Sequence, residues 1–256
     1  PGALVAPGCY DCISARLIEQ AGFEAAYMTG FGTSAGLLGM PDTGLISFSE
    51  MATHAANIAG AIRIPLIADG DTGYGNALNV YRTVQAYARA GIAAIQLEDQ
   101  VSPKRCGHTA GKEIISRSEA VAKIKAAVDA REDRDILIIA RTDARAVAGL
   151  DEAIERLKAF AGAGADILFC EAPQSRDEMA RLTREITTPL MANMVEGGKT
   201  PFLARAELES LGFKLIIYPV SLLLAAVKTM RGILDQLRTE QVFRPETQQV
   251  SFEELK

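Results

Sequence analysis

The sequence predicts a parallel (β/α)8 TIM barrel, and three features predict it. Short apolar runs alternate with helical patterns eight times along the chain. The runs are apolar on both faces, as strands of a buried parallel sheet are, and each leads into a helix. Eight such units in 256 residues match the length of the barrel. A doubly wound open sheet is the competing arrangement, but no G-x-G-x-x-G fingerprint follows the first strand. The barrel is expected to occupy residues 1–240 as a single catalytic domain, with 241–256 a polar tail.

The elements follow in order. Residues 4–7 form the first apolar run, and a helical pattern over 13–21 is closed by Gly22. The second run, 25–29, ends at Gly30 in what reads as a glycine-rich loop extending to Gly44. Residues 47–62 read as a helix because Ser47 and Glu50 have capping-box spacing. The third strand starts at Pro65, a helix spans 77–90 and stops at Gly91, and the fourth strand covers 93–97. After a long basic loop (100–112) come a helix over 118–130 and an isoleucine-rich strand over 135–140. The rest alternates without a break: helix 150–163, strand 166–170, helix 176–186, strand 189–193, helix 201–211, strand 214–218 and a closing helix 220–237.

Composition narrows the function. The chain is 48% hydrophobic and 23% charged with a net charge of -5, which argues against a general nucleic-acid or membrane-surface binder. No apolar run approaches the ~20 residues of a membrane helix, and no signal peptide opens the chain. The four cysteines (9, 12, 106 and 170) do not form a disulfide framework in a chain this long, so a reducing cytoplasm is expected. Cys9 and Cys12 have C-x-x-C spacing, but without the other features of a thioredoxin fold the spacing reads as incidental. His54 lies inside a helix and reads as packing or solvent-facing rather than as a ligand.

Chemistry in such barrels lies at the C-terminal strand ends. Those ends carry Tyr27 and Thr29, Asp69 and Asp71, Glu98 and Asp99, Arg141 and Asp143, Glu171, and Asn193, while the strand bodies are nearly all Ala, Ile, Leu and Val. Asp69 and Asp71 stand in a glycine-rich turn, where two carboxylates are costly to bury without a cation between them. Oxygen-only ligands point to Mg²⁺ or Mn²⁺, and solvated turn aspartates are the plain alternative. Glu98 joins them as a third metal-site carboxylate, direct or through water. Arg141 suits a bidentate clamp on a substrate carboxylate. In the long loop, Lys104, Arg105, His108 and Lys112 surround Cys106 with positive charge, which favours a reactive thiolate. Glycines 107 and 111 would let this loop close over the mouth. A solvated basic loop with an incidental cysteine is the alternative.

The stretches YMTGFGTSA (27–35), LGMPDTG (38–44), ADGDTGYGN (68–76), LEDQVSPKRCGH (97–108), IIARTDA (138–144) and ANMVEGGKTP (192–201) together resemble the isocitrate lyase and phosphoenolpyruvate mutase superfamily over essentially the whole chain. KRCGH is similar to the lyase branch. The resemblance implies Cys106 as catalytic acid, Asp69 as direct Mg²⁺ ligand, and Asp71 and Glu98 as holders of the ion's waters. It implies that Thr29, Gly30 and Asp42 contact the keto- or hydroxy-acid end. Arg141, Glu171 and Asn193 would line the same pocket, and Arg105, Gly107 and His108 would grip a second carboxylate. Tyr27 or a water is the expected base. The implied activity is Mg-dependent carbon–carbon cleavage of a substituted malate, of 2-methylisocitrate or 2,3-dimethylmalate type, to pyruvate or glyoxylate plus a carboxylic acid. Carboxyvinyl-carboxyphosphonate phosphonomutase chemistry and oxaloacetate hydrolysis or decarboxylation are the alternatives. The family also implies a homotetramer in which the last helix is exchanged between subunits. Val195 departs from the methylisocitrate lyases, where a hydroxyl residue touches substrate.

Overall fold

The structure, a computed structural model, describes residues 2–107, 111–242 and 249–255. Eight parallel strands close into a barrel in sequence order. They are β1 (Leu4–Cys9), β2 (Ala26–Met28), β3 (Leu66–Asp69), β4 (Ala94–Glu98), β5 (Leu137–Thr142), β6 (Ile167–Cys170), β7 (Leu190–Asn193) and β8 (Leu215–Tyr218). The ring shuts where β1 pairs with β8, Leu4 opposite Leu215. All eight expected strands are present because each is an apolar run that only a fully covered sheet can bury.

The helices around it are α1 (Cys12–Gln20), α2 (Gly30–Leu38), α3 (Phe48–Ala61), α4 (Ala77–Arg89), α5 (Arg117–Ala130), α6 (Ala144–Ala148), α7 (Leu150–Gly162), α8 (Arg176–Glu185), α9 (Arg205–Leu211), α10 (Ser221–Glu240) and α11 (Phe252–Leu255). The capping box at the start of α3 forms as its spacing predicts: Ser47 Oγ accepts from the Glu50 N–H, and Glu50 Oε2 accepts from the Ser47 N–H. α9 starts later than expected, at Arg205, since the segment opened by Pro201 is extended.

One sequence expectation is corrected. Residues 30–38 are a helix, not a glycine-rich loop. Thr29 caps it, its Oγ1 accepting from the Gly32 N–H at 3.3 Å. Its glycines serve close packing: a Cβ at Gly30 would lie 2.5 Å from Asp69 Oδ2, and one at Gly32 2.6 Å from Thr29 Cγ2. Their helix-breaking tendency is outweighed by contacts that the sequence does not display.

Two apolar cores result. The larger lies between the strands and the outer helices. The smaller fills the barrel interior with Tyr27, Ile67, Ala94, Ile139, Phe169, Met191 and Ile217 among others. The four cysteines are free thiols. Burial pushes the Cys9 thiol up to about 12, which disfavours its thiolate. His54 holds a helix in place through a 2.8 Å contact with the Tyr10 carbonyl. Among the described residues no helix is long and apolar enough to cross a membrane.

The barrel closure itself gives a test. A Cβ at Gly8 of β1 would sit 2.3 Å from the Pro219 carbonyl oxygen and 2.6 Å from its Cα, and backbone cannot yield as a side chain can. Gly8→Ala is therefore expected to lower unfolding stability by about 3 kcal/mol or more in urea denaturation. A loss under about 0.5 kcal/mol, the range of surface substitutions, would contradict this packing.

Candidate active site

Strand alternation builds the site. Side chains two apart share a face. Continuing the interior residues by two toward the C-terminal mouth gives Thr29 above Tyr27, Asp69 above Ile67, Gln96 and Glu98 above Ala94, Arg141 above Ile139, Glu171 above Phe169, and Asn193 above Met191. On six of the eight strands the barrel's top layer is thus polar, while the same step gives Gly8 for β1 and Pro219 for β8.

Asp69 accepts from the Gly30 N–H at 3.2 Å and the Asp71 N–H at 2.9 Å. Asp71 itself adopts φ 47°, an unusual conformation for a residue with a side chain, and this turns its carboxylate into the mouth. There Lys104 Nζ reaches both Asp42 (2.6 Å) and Asp71 (2.9 Å). Burial alone would lower the Lys104 pKa, but Asp71, Glu98, Asp69 and Asp42 outweigh it and hold the ammonium well above its ordinary value. Burial likewise pushes Asp71 up to about 6 against the pull of Lys104, and raises Glu98 well above the carboxylate range against Arg141 and Lys104.

Arg141, expected as a clamp on a substrate carboxylate, lines the cavity and is paired within the protein. Its Nε and Nη2 donate to Asp143 at 2.9 and 3.1 Å, so the fork expected for substrate is made with Asp143 instead. Its Nη1 lies 3.2 Å from Glu98 and 3.5 Å from Glu171, and the guanidinium rests over the Phe169 ring. A guanidinium buried this deeply must be paired within the protein. Asn193 Nδ2 in turn donates to Glu171 at 3.4 Å. Tyr27 is wholly buried; burial, with Asp69 beside it, raises its phenol well above the ordinary value. Its hydroxyl donates to Gln96 Oε1 at 3.1 Å. The phenol is thus held in its neutral form within the site.

The loop after β4 lies over the mouth and is not the solvated basic segment that its composition allows. Gln100 brackets Arg105, accepting from its N–H at 3.0 Å and donating to its carbonyl at 2.8 Å. The Cys106 N–H donates to the Asp42 carbonyl at 3.2 Å. Lys104 and Lys112 are buried, and their charges meet carboxylates rather than the thiol. Gly107 rests directly on the site: a Cβ there would come within 2.6 Å of Arg141 Nη2 and of the Glu171 carboxyl carbon. His108 lies outside the described residues.

These side chains line a cavity of about 280 Å³ that holds Thr29, Asp42, Asp69, Cys106, Arg141, Glu171 and Asn193 together. The rest of its wall is mostly apolar, with Phe31, Val195, Pro219, Val220 and Leu224, and carries one acidic side chain, Glu196. Three contributors escaped sequence reasoning. Lys104 showed only as one charge in a basic run, and Leu224 as one apolar residue in a helix. Gln96 could have been found as the sole polar residue inside the otherwise apolar strand 93–97.

The donor set suits a hard divalent cation. Asp69, Asp71 and Glu98 offer only oxygen, and Glu98 Oε1 is buried without a hydrogen-bond partner among the described residues. Among those residues no three His, Cys, Asp or Glu groups are arranged to hold an ion by themselves.

A family model described as phosphoenolpyruvate phosphomutase matches residues 1–238. The chain belongs to the phosphoenolpyruvate mutase and isocitrate lyase superfamily. Within this superfamily it is 52% identical to a 2,3-dimethylmalate lyase of Eubacterium barkeri, over 93% of this chain and 82% of the relative. It is 48% identical to a 2-methylisocitrate lyase of Aeropyrum pernix, over 91% and 75%. A crystal structure of 2,3-dimethylmalate lyase superposes with a TM-score of 0.94 at 41% identity, covering 97% of this chain and 84% of that one. A phosphonopyruvate hydrolase complex with oxalate and Mg²⁺ superposes with a TM-score of 0.88 at 33% identity, covering 99% and 88%.

The metal reading predicts a thermal signature. Saturating Mg²⁺ at 100 times its Kd should stabilise the protein by about 2.7 kcal/mol and raise Tm, and Asp69→Ala or Glu98→Gln should abolish the rise. An equal rise in both variants would remove these carboxylates from the metal site.

Proposed function

We propose that this protein is a Mg-dependent lyase that splits an alkyl-substituted malate of the 2,3-dimethylmalate type into pyruvate and a carboxylic acid. The observation that carries the reading is the cavity's two-sided character. One side is polar and catalytic, and among the described residues Arg141 is the only basic side chain lining the cavity, already paired with Asp143. The other side offers Phe31, Val195, Pro219, Val220 and Leu224, which suit alkyl groups and give a third carboxylate nothing to pair with.

Asp69 would hold the metal directly, with Asp71 and Glu98 on its waters. When bound, the ion supplies Lewis-acid polarisation of the α-oxygens of the acid. Thr29, Gly30 and Asp42 orient that end of the substrate, and Lys104 keeps Asp42 and Asp71 fixed as they do so. A water takes the hydroxyl proton. The O–H pair becomes the new carbonyl, the C2–C3 bond breaks, and its pair passes to the carbon bearing the second carboxylate. By the family resemblance Arg105, which lines the adjoining cavity, and His108 would support that developing dianion. Cys106 then gives its proton to the carbon and recovers one from solvent. Glu171 and Asn193 keep the closing wall in register.

Two further expectations belong to this reading. Members of such a branch that act on small acids in bulk water fit a cytoplasmic enzyme. A homotetramer built from helix-exchanged dimers is supported by α10: of its twenty residues only Leu223 is buried, and Leu224, Met230, Leu234 and Leu237 are exposed. Beside it an apolar hollow of about 460 Å³, lined by Val5, Pro7, Leu17, Phe23, Tyr218 and Leu222, suits a neighbour's helix.

The test is pyruvate and glyoxylate release from a panel of malates, with Mg²⁺ and with chelator. The expected result is chelator-sensitive cleavage of 2,3-dimethylmalate with kcat/KM roughly tenfold or more above 2-methylisocitrate. The reverse preference would overturn the apolar-wall reading. Silence across the panel with Mg²⁺ still bound would overturn the lyase reading in favour of phosphorus–carbon chemistry. Light scattering tests the assembly: Leu234→Glu should shift the particle to a smaller mass, and an unchanged mass would contradict helix exchange.

A further inference from the structure

We propose that Lys112 is a positioning residue, a buried latch that seats the Cys106–Gly107 segment against the β5 wall of the site by bridging the Gly107 carbonyl and Asp143. The geometry is a single ammonium with two anchors. Its Nζ donates to the Gly107 carbonyl at 2.5 Å and to Asp143 Oδ1 at 2.6 Å, with both side chains almost wholly shut off from solvent. The other contacts of Asp143 make it a fixed point. It accepts the Nε and Nη2 of Arg141, and its own N–H donates to Asp99 Oδ1 at 2.9 Å. Asp99 also accepts from Thr142 Oγ1 (2.6 Å) and Arg156 Nη1 (3.0 Å), which ties β5 to α7 behind the site.

The segment bearing the thiol is therefore held at two places. The Cys106 N–H is fixed to the Asp42 carbonyl, and the Gly107 carbonyl is fixed through Lys112. Between them Gly107 has no freedom to drift, because it packs directly on Arg141 and Glu171. An ammonium suits such a bridge, being a compact charge with three donors on a flexible stem. Removing it takes one buried positive charge away and leaves Asp143 with Arg141 as its cation partner, while Gly107 loses its anchor.

Lys112→Met tests the latch with two readouts. One is kcat on the malate that the enzyme turns over, expected to fall on the order of 100-fold, as for a misplacement near 1 Å, with KM little changed. The other is the alkylation rate of Cys106 by iodoacetamide, resolved by peptide mass spectrometry, expected to rise several-fold while buried Cys9 and Cys170 stay unlabelled. The kinetic arm rests on Cys106 being the proton donor of the proposed reaction. The alkylation arm holds for any substrate, so failure of the lyase reading leaves the latch testable. Lys112→Arg keeps the charge that Asp143 faces but presents a bulkier planar fork, and is expected to show both changes to a smaller degree. An unchanged or slower Cys106 rate in either variant would overturn the assignment. So would a rise shared equally by Cys9 and Cys170, which marks general loosening rather than a freed segment.

Discussion

The structure depends on the burial of charge at the mouth of the barrel. Asp42, Asp71, Glu98, Asp99, Asp143 and Glu171 are all nearly shut off from water, and Lys104, Lys112, Arg141 and Arg156 are buried among them. Isolated, each would carry a desolvation penalty of several kcal/mol, and removing one partner of such a pair costs about 3–5 kcal/mol. The arrangement persists because each of these cations meets at least one carboxylate at contact distance. Carboxylate remains in excess around Asp69, Asp71 and Glu98, and Glu98 in particular is left under-partnered. A site in that condition is prepared for one more cation.

The same constraint explains why the loop after β4 is folded onto the site. Its lysines cannot be withdrawn without stranding aspartates, and they cannot be inserted without carrying Cys106 to the cavity wall. Charge pairing and placement of the thiol are one event. The apolar part of the cavity is set by Phe31 of α2 and by the residues that follow β7 and β8 into the start of α10, where Glu196 is the one charged side chain among the lining residues. Chemistry and substituent choice thus occupy different walls and can change independently.

How much of this could be read from the residues follows from the range over which each feature is encoded. The eight strands were legible because a strand covered on both faces needs an apolar run, and such a run is local. The polar ends were legible because the period of two continues past the last apolar residue, which brought out Asp69, Glu98, Arg141, Glu171 and Asn193. α2 was not legible: its glycines answer to Asp69 and Thr29, contacts that exist only after folding. The partner of Arg141 was hidden for a related reason. Asp143 stands two residues away in sequence, but only the turn after β5 shows that the fork closes on it. Lys104 was visible as charge and invisible as a partner of Asp42 and Asp71, since loop path is not encoded by periodicity.

The proposed chemistry turns on Cys106 as the acid that this charge-paired loop brings to the substrate. Replacing it with serine keeps the size and removes the readily transferred proton. Turnover of the preferred malate by Cys106→Ser, set beside calorimetric binding of Mg²⁺ and pyruvate, tests that role most directly. Turnover is expected to be lost while both ligands bind nearly as in the wild type. Turnover at the wild-type rate would contradict it.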